Sequence, residues 1–212
     1  MINIETFVFN PFMENTFILH DRTRECIIVD AGCYEPSERK ELEEFIEKSN
    51  LNPVGLVNTH CHVDHVMGVA YLKEKFNIPF SIHQSEEKIL KATPMQGNFF
   101  GIDPGPAAVP DHFLEDGDIV SFGESSLRAI HVPGHSPGSL VYHSPDDSFV
   151  IAGDVLFRGS IGRTDLPGGD HDALIKCIHD KLLVLDADTV VYPGHGQETS
   201  IEIERDHNPF LR

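Results

Sequence analysis

Three histidines and one aspartate fall within six positions, His60-x-His62-x-Asp64-His65, and these are side chains from which metal centres are built. His60 and His62 are two apart, so on an extended segment both rings point the same way. Asp64 and His65 follow where a helix would begin, so their side chains converge on a second point nearby. The arrangement suits two adjacent cations better than one. Burying four such groups together without a cation leaves them unpaired, at a cost of about 1–3 kcal/mol each. A lone histidine carries no such implication, and the chain has 13.

The flanking sequence says what must position these groups. Val54-Gly55-Leu56-Val57 is a short apolar run that reads as a buried strand. Val66–Phe76 carries apolar residues at helical spacing, with Met67, Ala70 and Tyr71 on one side. The motif therefore lies in the turn between a strand's carboxyl end and a helix, where open α/β sheets place their ligand sites. Three later positions repeat that logic. His135 lies in Val132-Pro-Gly-His-Ser-Pro-Gly138, Asp154 closes Ile151-Ala-Gly, and His195 lies in Tyr192-Pro-Gly-His-Gly196. The glycines let backbone approach closely and the prolines stiffen it. Each alone is weak; together with the first motif they form a constellation.

The rest of the chain supplies strands and helices in order. Ile2–Phe9, Asn15–His20 and Glu25–Val29 read as strands separated by Asn10-Pro11 and Asp21-Arg22 turns. Pro36 opens a helix to about Lys48, with Leu42, Phe45 and Ile46 inward. Phe80–His83 is a strand and Ser85–Lys91 helical, whereas residues 93–110, rich in Gly and Pro, read as a long irregular loop able to cover a site. Strands at 118–121, 126–132, 139–143 and 149–152 precede a helix from about Asp170 to Asp180. A strand at Thr189–Tyr192 and a short helix at Ile201–Asp206 complete the chain. Two sheets packed face to face with helices outside would bury each strand.

Composition narrows the classes. A chain of 212 residues with 40% hydrophobic content fits one domain, here residues 1–212. Thirty-four acidic against 16 basic residues give a formal charge of -18, which disfavours nucleic acid and anionic membrane surfaces as partners. No apolar run approaches a membrane span, and the N-terminus lacks the basic region of a signal peptide, so the expectation is a cytoplasmic protein. The four cysteines form no C-x-x-C pair. Cys61 points away from His60 and His62 and reads as a small buried residue. The eight histidines outside the constellation (20, 83, 112, 131, 143, 171, 179 and 207) read as structural or solvated.

His60-x-His62-x-Asp64-His65, then His135, Asp154 and His195 in that order, resembles the metallo-β-lactamase superfamily. The resemblance runs over essentially the whole chain and implies an α/β fold, a four-layer αββα sandwich with a two-metal site at one edge of the sheets. It implies that His60, His62 and His135 hold one ion, that Asp64, His65 and His195 hold the other, and that Asp154 bridges them. The cofactors would be two divalent ions, zinc first, with iron or manganese as alternatives.

Gly153–Gly169 and Pro193-Gly-His-Gly196 resemble the glyoxalase II-like branch of small bacterial thioester hydrolases. That resemblance implies hydrolysis of S-D-lactoylglutathione or a related small-molecule thioester by a hydroxide shared between two ions about 3.5–4 Å apart. Asp64 would orient the nucleophile or relay its proton, and a thiolate leaves without a strong general acid. The helical domain that holds glutathione in glyoxalase II proper has no counterpart before Arg212. Where that family has Lys and Tyr contacting glutathione, this chain has Arg163 and Asp165. Arg163 would bind a substrate carboxylate in a bidentate fork, or pair with Asp165 instead.

Persulfide dioxygenases resemble the chain too, through the first motif, a Cys at the position of Cys61, and Gly162-Arg-Thr-Asp165. The alternative they imply is one Fe(II) on His60, His135 and Asp154. β-Lactam hydrolysis is disfavoured by the missing signal peptide and by Asp154, where a Cys or His is common. RNA processing is disfavoured by the charge.

Overall fold

The computed structural model describes all 212 residues, Met1–Arg212. Strands β1 (Asn3–Phe9), β2 (Glu14–His20) and β3 (Glu25–Val29) form an antiparallel meander. Helix α1 (Pro36–Lys48) then crosses to β4 (Asn52–Val57), which pairs parallel with β3. Short helices α2 (Val63–Val66) and α3 (Val69–Phe76) lead to β5 (Phe80–Ile82), and helices α4 (Glu87–Lys91) and α5 (Thr93–Phe100) lead to β6 (His112–Phe113). The first sheet has the order β1-β2-β3-β4-β5-β6.

The second half builds a second six-stranded sheet. Its members are β7 (Ile119–Phe122), β8 (Ser125–His131), β9 (Leu140–Ser144) and β10 (Phe149–Gly153), followed by the small hairpin β11 (Leu156–Phe157) and β12 (Ser160–Ile161). Helix α6 (His171–Cys177) returns the chain to β13 (Val190–Pro193), which pairs parallel with β10. Strand β14 (Thr199–Ser200) and helix α7 (Ile201–His207) follow, and the order is β14-β13-β10-β9-β8-β7.

The layering follows from the two-residue period of a strand, which sends alternate side chains to opposite faces. In β3, Cys26 and Ile28 face Leu42 and Ile46 of α1 and Leu72 of α3, while Ile27 and Val29 face the second sheet. In β10, Phe149 and Ile151 face the first sheet, while Val150 and Ala152 face Leu174 of α6 and Ile201 of α7. Three apolar layers thus separate helix, sheet, sheet and helix, the four-layer αββα sandwich.

Two expectations need correction. Residues 93–110 are not irregular throughout, because Thr93–Phe100 is helix α5. Pro94 sits in its first turn and Gly101, at φ 72°, ends it, the usual proline-start, glycine-stop asymmetry. The helix expected from Val66 to Phe76 is broken at Gly68, which donates its N–H to the Ala31 carbonyl at 2.8 Å. A β-carbon there would lie 2.3 Å from Cys33 Sγ, so the chain turns where only glycine fits. The two-residue strands β6, β11, β12 and β14 had no readable pattern at that length.

Candidate metal centre

The five histidines and two aspartates converge at one edge of the sandwich, where β4, β10 and β13 end. His60 and His62 leave β4 in extended backbone, and Asp64 and His65 occupy the first turn of α2. His135 follows β8, Asp154 follows β10 and His195 follows β13.

The donor atoms fall into two sets. His62 Nδ1 is 2.9 Å and His60 Nε2 3.2 Å from His135 Nε2. The second set is Asp64, His65 and His195, with Asp64 Oδ2 lying 3.2 Å from His195 Nε2 and 3.8 Å from His65 Nε2. Within each set the donor atoms lie within 4.8 Å of one another. Asp154 stands between them. Its Oδ2 is 3.7 Å from His135 Nε2 and 3.6 Å from His195 Nε2, and its Oδ1 is 3.5 Å from His65 Nε2. His65 Nε2 and Asp154 Oδ1 are buried without a hydrogen-bond partner, which is costly for polar atoms unless a cation joins them. The donor set fits two divalent ions.

The second nitrogen of four rings is already engaged, which leaves Nε2 free to face the centre. His65 Nδ1 donates to Asp30 Oδ2 at 3.1 Å, His135 Nδ1 to the Arg163 carbonyl at 2.8 Å, and His195 Nδ1 to the Phe12 carbonyl at 3.1 Å. His60 Nδ1 is 3.1 Å from Thr59 Oγ1, whose own proton goes to Asp30 Oδ2 at 2.6 Å. Asp30 also accepts the Thr59 N–H at 2.6 Å, so one buried carboxylate steers a histidine of each set. Glycine makes room for the contact, since a β-carbon at Gly194 would lie 2.3 Å from Asp154 Oδ1 and 2.8 Å from His65 Cε1.

Burial divides the rings. It holds His60 well below the ordinary imidazole range, with His65 and His135 adding to the effect, and pulls His62 to about 3, with His135 adding. His135 is lowered by burial despite Asp154. Burial also opposes the charged forms of His65 and His195, but neighbouring Asp64 and Asp154 outweigh it and raise both. Burial would raise Asp64 and Asp154; the surrounding histidines, His65 first and then His195 with His135 beside Asp154, together outweigh it and lower both.

Several groups at the site escaped sequence reading. Asp30 ends β3 as a lone acid, and Glu14 is fully buried with Oε1 3.8 Å from His65 Nδ1. Glu86, also buried, accepts the Cys61 N–H at 2.8 Å with one oxygen, and the Ser136 hydroxyl and Gly138 N–H at 2.7 Å with the other. It thereby ties the first motif to the His135 loop. Asn58 Nδ2 donates to the His60 and His65 carbonyls at 3.1 and 2.8 Å and shapes the motif from within.

Arg163 lies at the surface, paired within its own segment. Its Nε and Nη2 donate to Asp165 Oδ1 and Oδ2 at 2.7 Å each, and both side chains are exposed. That pair is the second of the two outcomes the sequence predicts for Arg163. Cys61 is buried, as expected, and burial holds its thiol well above the usual range.

The chain belongs to the metallo-beta-lactamase superfamily, whose profile matches residues 9–195. It is 38% identical to a probable metallo-hydrolase, YqgX, of Bacillus subtilis, over 95% of this chain and 93% of that protein. It is 35% identical to the hydroxyacylglutathione hydrolase GloC of Haemophilus influenzae, over 99% and 98%. Bovine mitochondrial persulfide dioxygenase ETHE1 is 29% identical over 92% of this chain and 70% of its own length. Among solved structures, the BLEG-1 B3 metallo-beta-lactamase superposes with TM-score 0.90 at 35% identity, covering 100% and 99%. TTHA1623 in a di-iron-bound form superposes with TM-score 0.89 at 33% identity, covering 98% and 100%. No helix is long and apolar enough to cross a membrane.

Proposed function

We propose that this protein is a binuclear metallohydrolase that cleaves small-molecule thioesters, a glyoxalase II-type activity. The observation that carries the reading is Asp154, whose carboxylate lies within 3.7 Å of a histidine from each donor set. Similarity to GloC over nearly the whole chain supports the thioester class.

His60, His62 and His135 would hold one ion; Asp64, His65 and His195 the other; Asp154 both. Bound there, such a pair supplies a nucleophile at neutral pH and a Lewis acid for the carbonyl. The protein's own groups do the rest. Burial keeps His60, His62 and His135 neutral, with lone pairs available. Asp64 lies at the open side, its side chain 14% exposed, where it can orient the attacking oxygen and take its proton. A departing thiolate is stable enough to leave without a strong acid beside it. Zinc is the first choice of metal; the di-iron form of TTHA1623 keeps iron as the alternative.

The second reading is a mononuclear Fe(II) persulfide dioxygenase using His60, His135 and Asp154, which the ETHE1 relationship favours. His62 Nδ1, 2.9 Å from His135 Nε2, and the complete second donor set favour the two-metal reading. Elemental analysis paired with two assays separates them. Two ions per chain with turnover of S-D-lactoylglutathione or another thioester supports the proposal. One iron with oxygen uptake on glutathione persulfide overturns it.

A further inference from the structure

Beside the metal centre lies a group of apolar side chains, all exposed except the half-buried Phe12, drawn from two separate parts of the chain. Phe12 and Met13 come from the turn between β1 and β2; Met95, Phe99 and Phe100 come from α5. The Phe12 and Phe100 rings meet edge to face at 5.0 Å, and Phe99 meets Phe100 the same way at 5.1 Å, so the two parts form one surface. Phe99 is 84% exposed, Met95 70% and Met13 66%. Met95 and Phe99 are four apart and share a face of α5, while Thr93 and Gly97 turn into the protein. An exposed patch of this composition marks a place where something apolar binds.

Both halves are fastened to the residues of the centre itself. The Phe12 carbonyl accepts from His195 Nδ1, the Phe12 N–H donates to Asn10 Oδ1 at 3.0 Å, and Asn10 Nδ2 donates to the Asp64 carbonyl at 2.9 Å. On the other side Gln96 Oε1 accepts the Val63 N–H at 3.1 Å, one residue after His62, and Gln96 Nε2 donates to the Ile89 carbonyl at 2.9 Å. Gly97 packs so closely on Pro104 that a β-carbon there would lie 2.3 Å away, which fixes the helix from behind. His195, 26% exposed, opens the centre towards solvent at this side, and its ring lies 6.5 Å from that of Phe157.

Charge on the neighbouring segment points the same way. Arg163 is paired in both directions with Asp165, and Arg158 donates to Gln197 Oε1 at 3.1 Å. Glutathione presents two carboxylates, to which a chain of formal charge -18 whose Arg163 fork is closed on Asp165 is poorly matched. An uncharged apolar arm is matched to Phe12, Phe99 and Phe100 with Met13 and Met95, where flexible thioether side chains adapt to its shape.

Resting on the two-metal hydrolase reading, we infer that the substrate is a thioester with an apolar arm seated on the Phe12–Phe99–Phe100 surface, and that these residues set specificity. Binding is tested first, without turnover, by calorimetry with thioether analogues of N-acetylcysteamine carrying ethyl or hexyl groups and with S-methylglutathione. A fully buried methylene contributes about 0.8 kcal/mol, roughly fourfold. On a half-open surface about twofold per methylene is expected, so the hexyl analogue should bind on the order of tenfold more tightly than the ethyl. Phe99→Ala with Phe100→Ala should reduce that ratio to near one, and Phe99→Leu with Phe100→Leu should restore part of it. Equal binding of ethyl and hexyl analogues, a ratio unchanged in the alanine variant, or S-methylglutathione binding more tightly than the hexyl analogue overturns the inference.

Turnover forms the second arm. The ratio of kcat/KM for hexanoyl over acetyl thioester of N-acetylcysteamine should rise in parallel and collapse in the alanine variant. If no thioester is hydrolysed while the hexyl preference persists, the hydrolase reading fails and the apolar site stands. If thioesters are hydrolysed with no chain-length preference, the apolar site fails and the hydrolase stands.

Discussion

Asp30 Oδ2 lies 3.1 Å from His65 Nδ1 and holds that ring with its Nε2 turned to the metal centre. The same oxygen accepts the Thr59 hydroxyl that faces His60. Asp30→Asn keeps the shape but places an amide where an acceptor is required. Metal affinity is expected to fall about 10–100-fold, as for other outer partners of ligating histidines. Competition with a chromogenic chelator measures it; an unchanged affinity removes Asp30 from this role.

Asp154 is the candidate ligand whose two oxygens lie within 3.7 Å of His135, His65 and His195, so its loss should differ in kind from the loss of a histidine. Asp154→Asn should lower the occupancy of both sites, by more than the about 10–100-fold of an outer partner. His62→Ala should empty one. Metal content per chain after dialysis distinguishes the two patterns, and identical stoichiometry in both variants contradicts the bridging assignment.

Acid should strip the two sites in order. Without metal, His65 and His195 are raised by their aspartate neighbours, so they hold their protons to higher pH than the other three rings and must give them up on coordination; affinity there rises with pH until those raised values are passed. His60, His62 and His135 are lowered, His62 to about 3, so they need release no proton near neutrality and lose metal only as pH falls further. Lowering pH from 7 should therefore release the ion at Asp64, His65 and His195 first. Metal content against pH should show two steps, and calorimetry in buffers of different ionisation enthalpy should show proton release mainly at that site.

Gly194→Ala places a β-carbon 2.3 Å from Asp154 Oδ1. The carboxylate must move, so metal content should drop severalfold at least. The metal-free melting temperature should change much less, since the rest of the sandwich is untouched. A variant with full metal content would show that the Asp154 position tolerates displacement.

Glu86→Ala leaves the buried N–H groups of Cys61 and Gly138 without their acceptor, while the Ser136 hydroxyl keeps Ser139 Oγ at 2.7 Å. Each unsatisfied group costs about 1–3 kcal/mol, so the variant should lose several kcal/mol in denaturant unfolding. A loss under about 1 kcal/mol would mean water replaces the carboxylate.

The first motif and the three later strand-end positions were legible because they carry scarce residue types at informative spacings. The strands were legible where five or more residues alternate between two buried faces, as in β3 and β10. Asp30, Glu14 and Glu86 were not, because a lone acid has no spacing and its role depends on what the fold brings opposite it. Helix α5 was hidden by Gly97 and Pro94, which lower helix propensity yet serve here as a packing point and a start. Gly68 hid the break between α2 and α3, since its reason is contact with Cys33 and Ala31, more than thirty residues away.

The candidate ligands straddle the chain, four before residue 66 and three after residue 134, one contingent from each sheet's share of the sequence. Ions seated there would clasp the two sheets across their shared edge. Metal loading should then harden that rim against proteolysis, and removing the ions should let the halves part there before they part anywhere else.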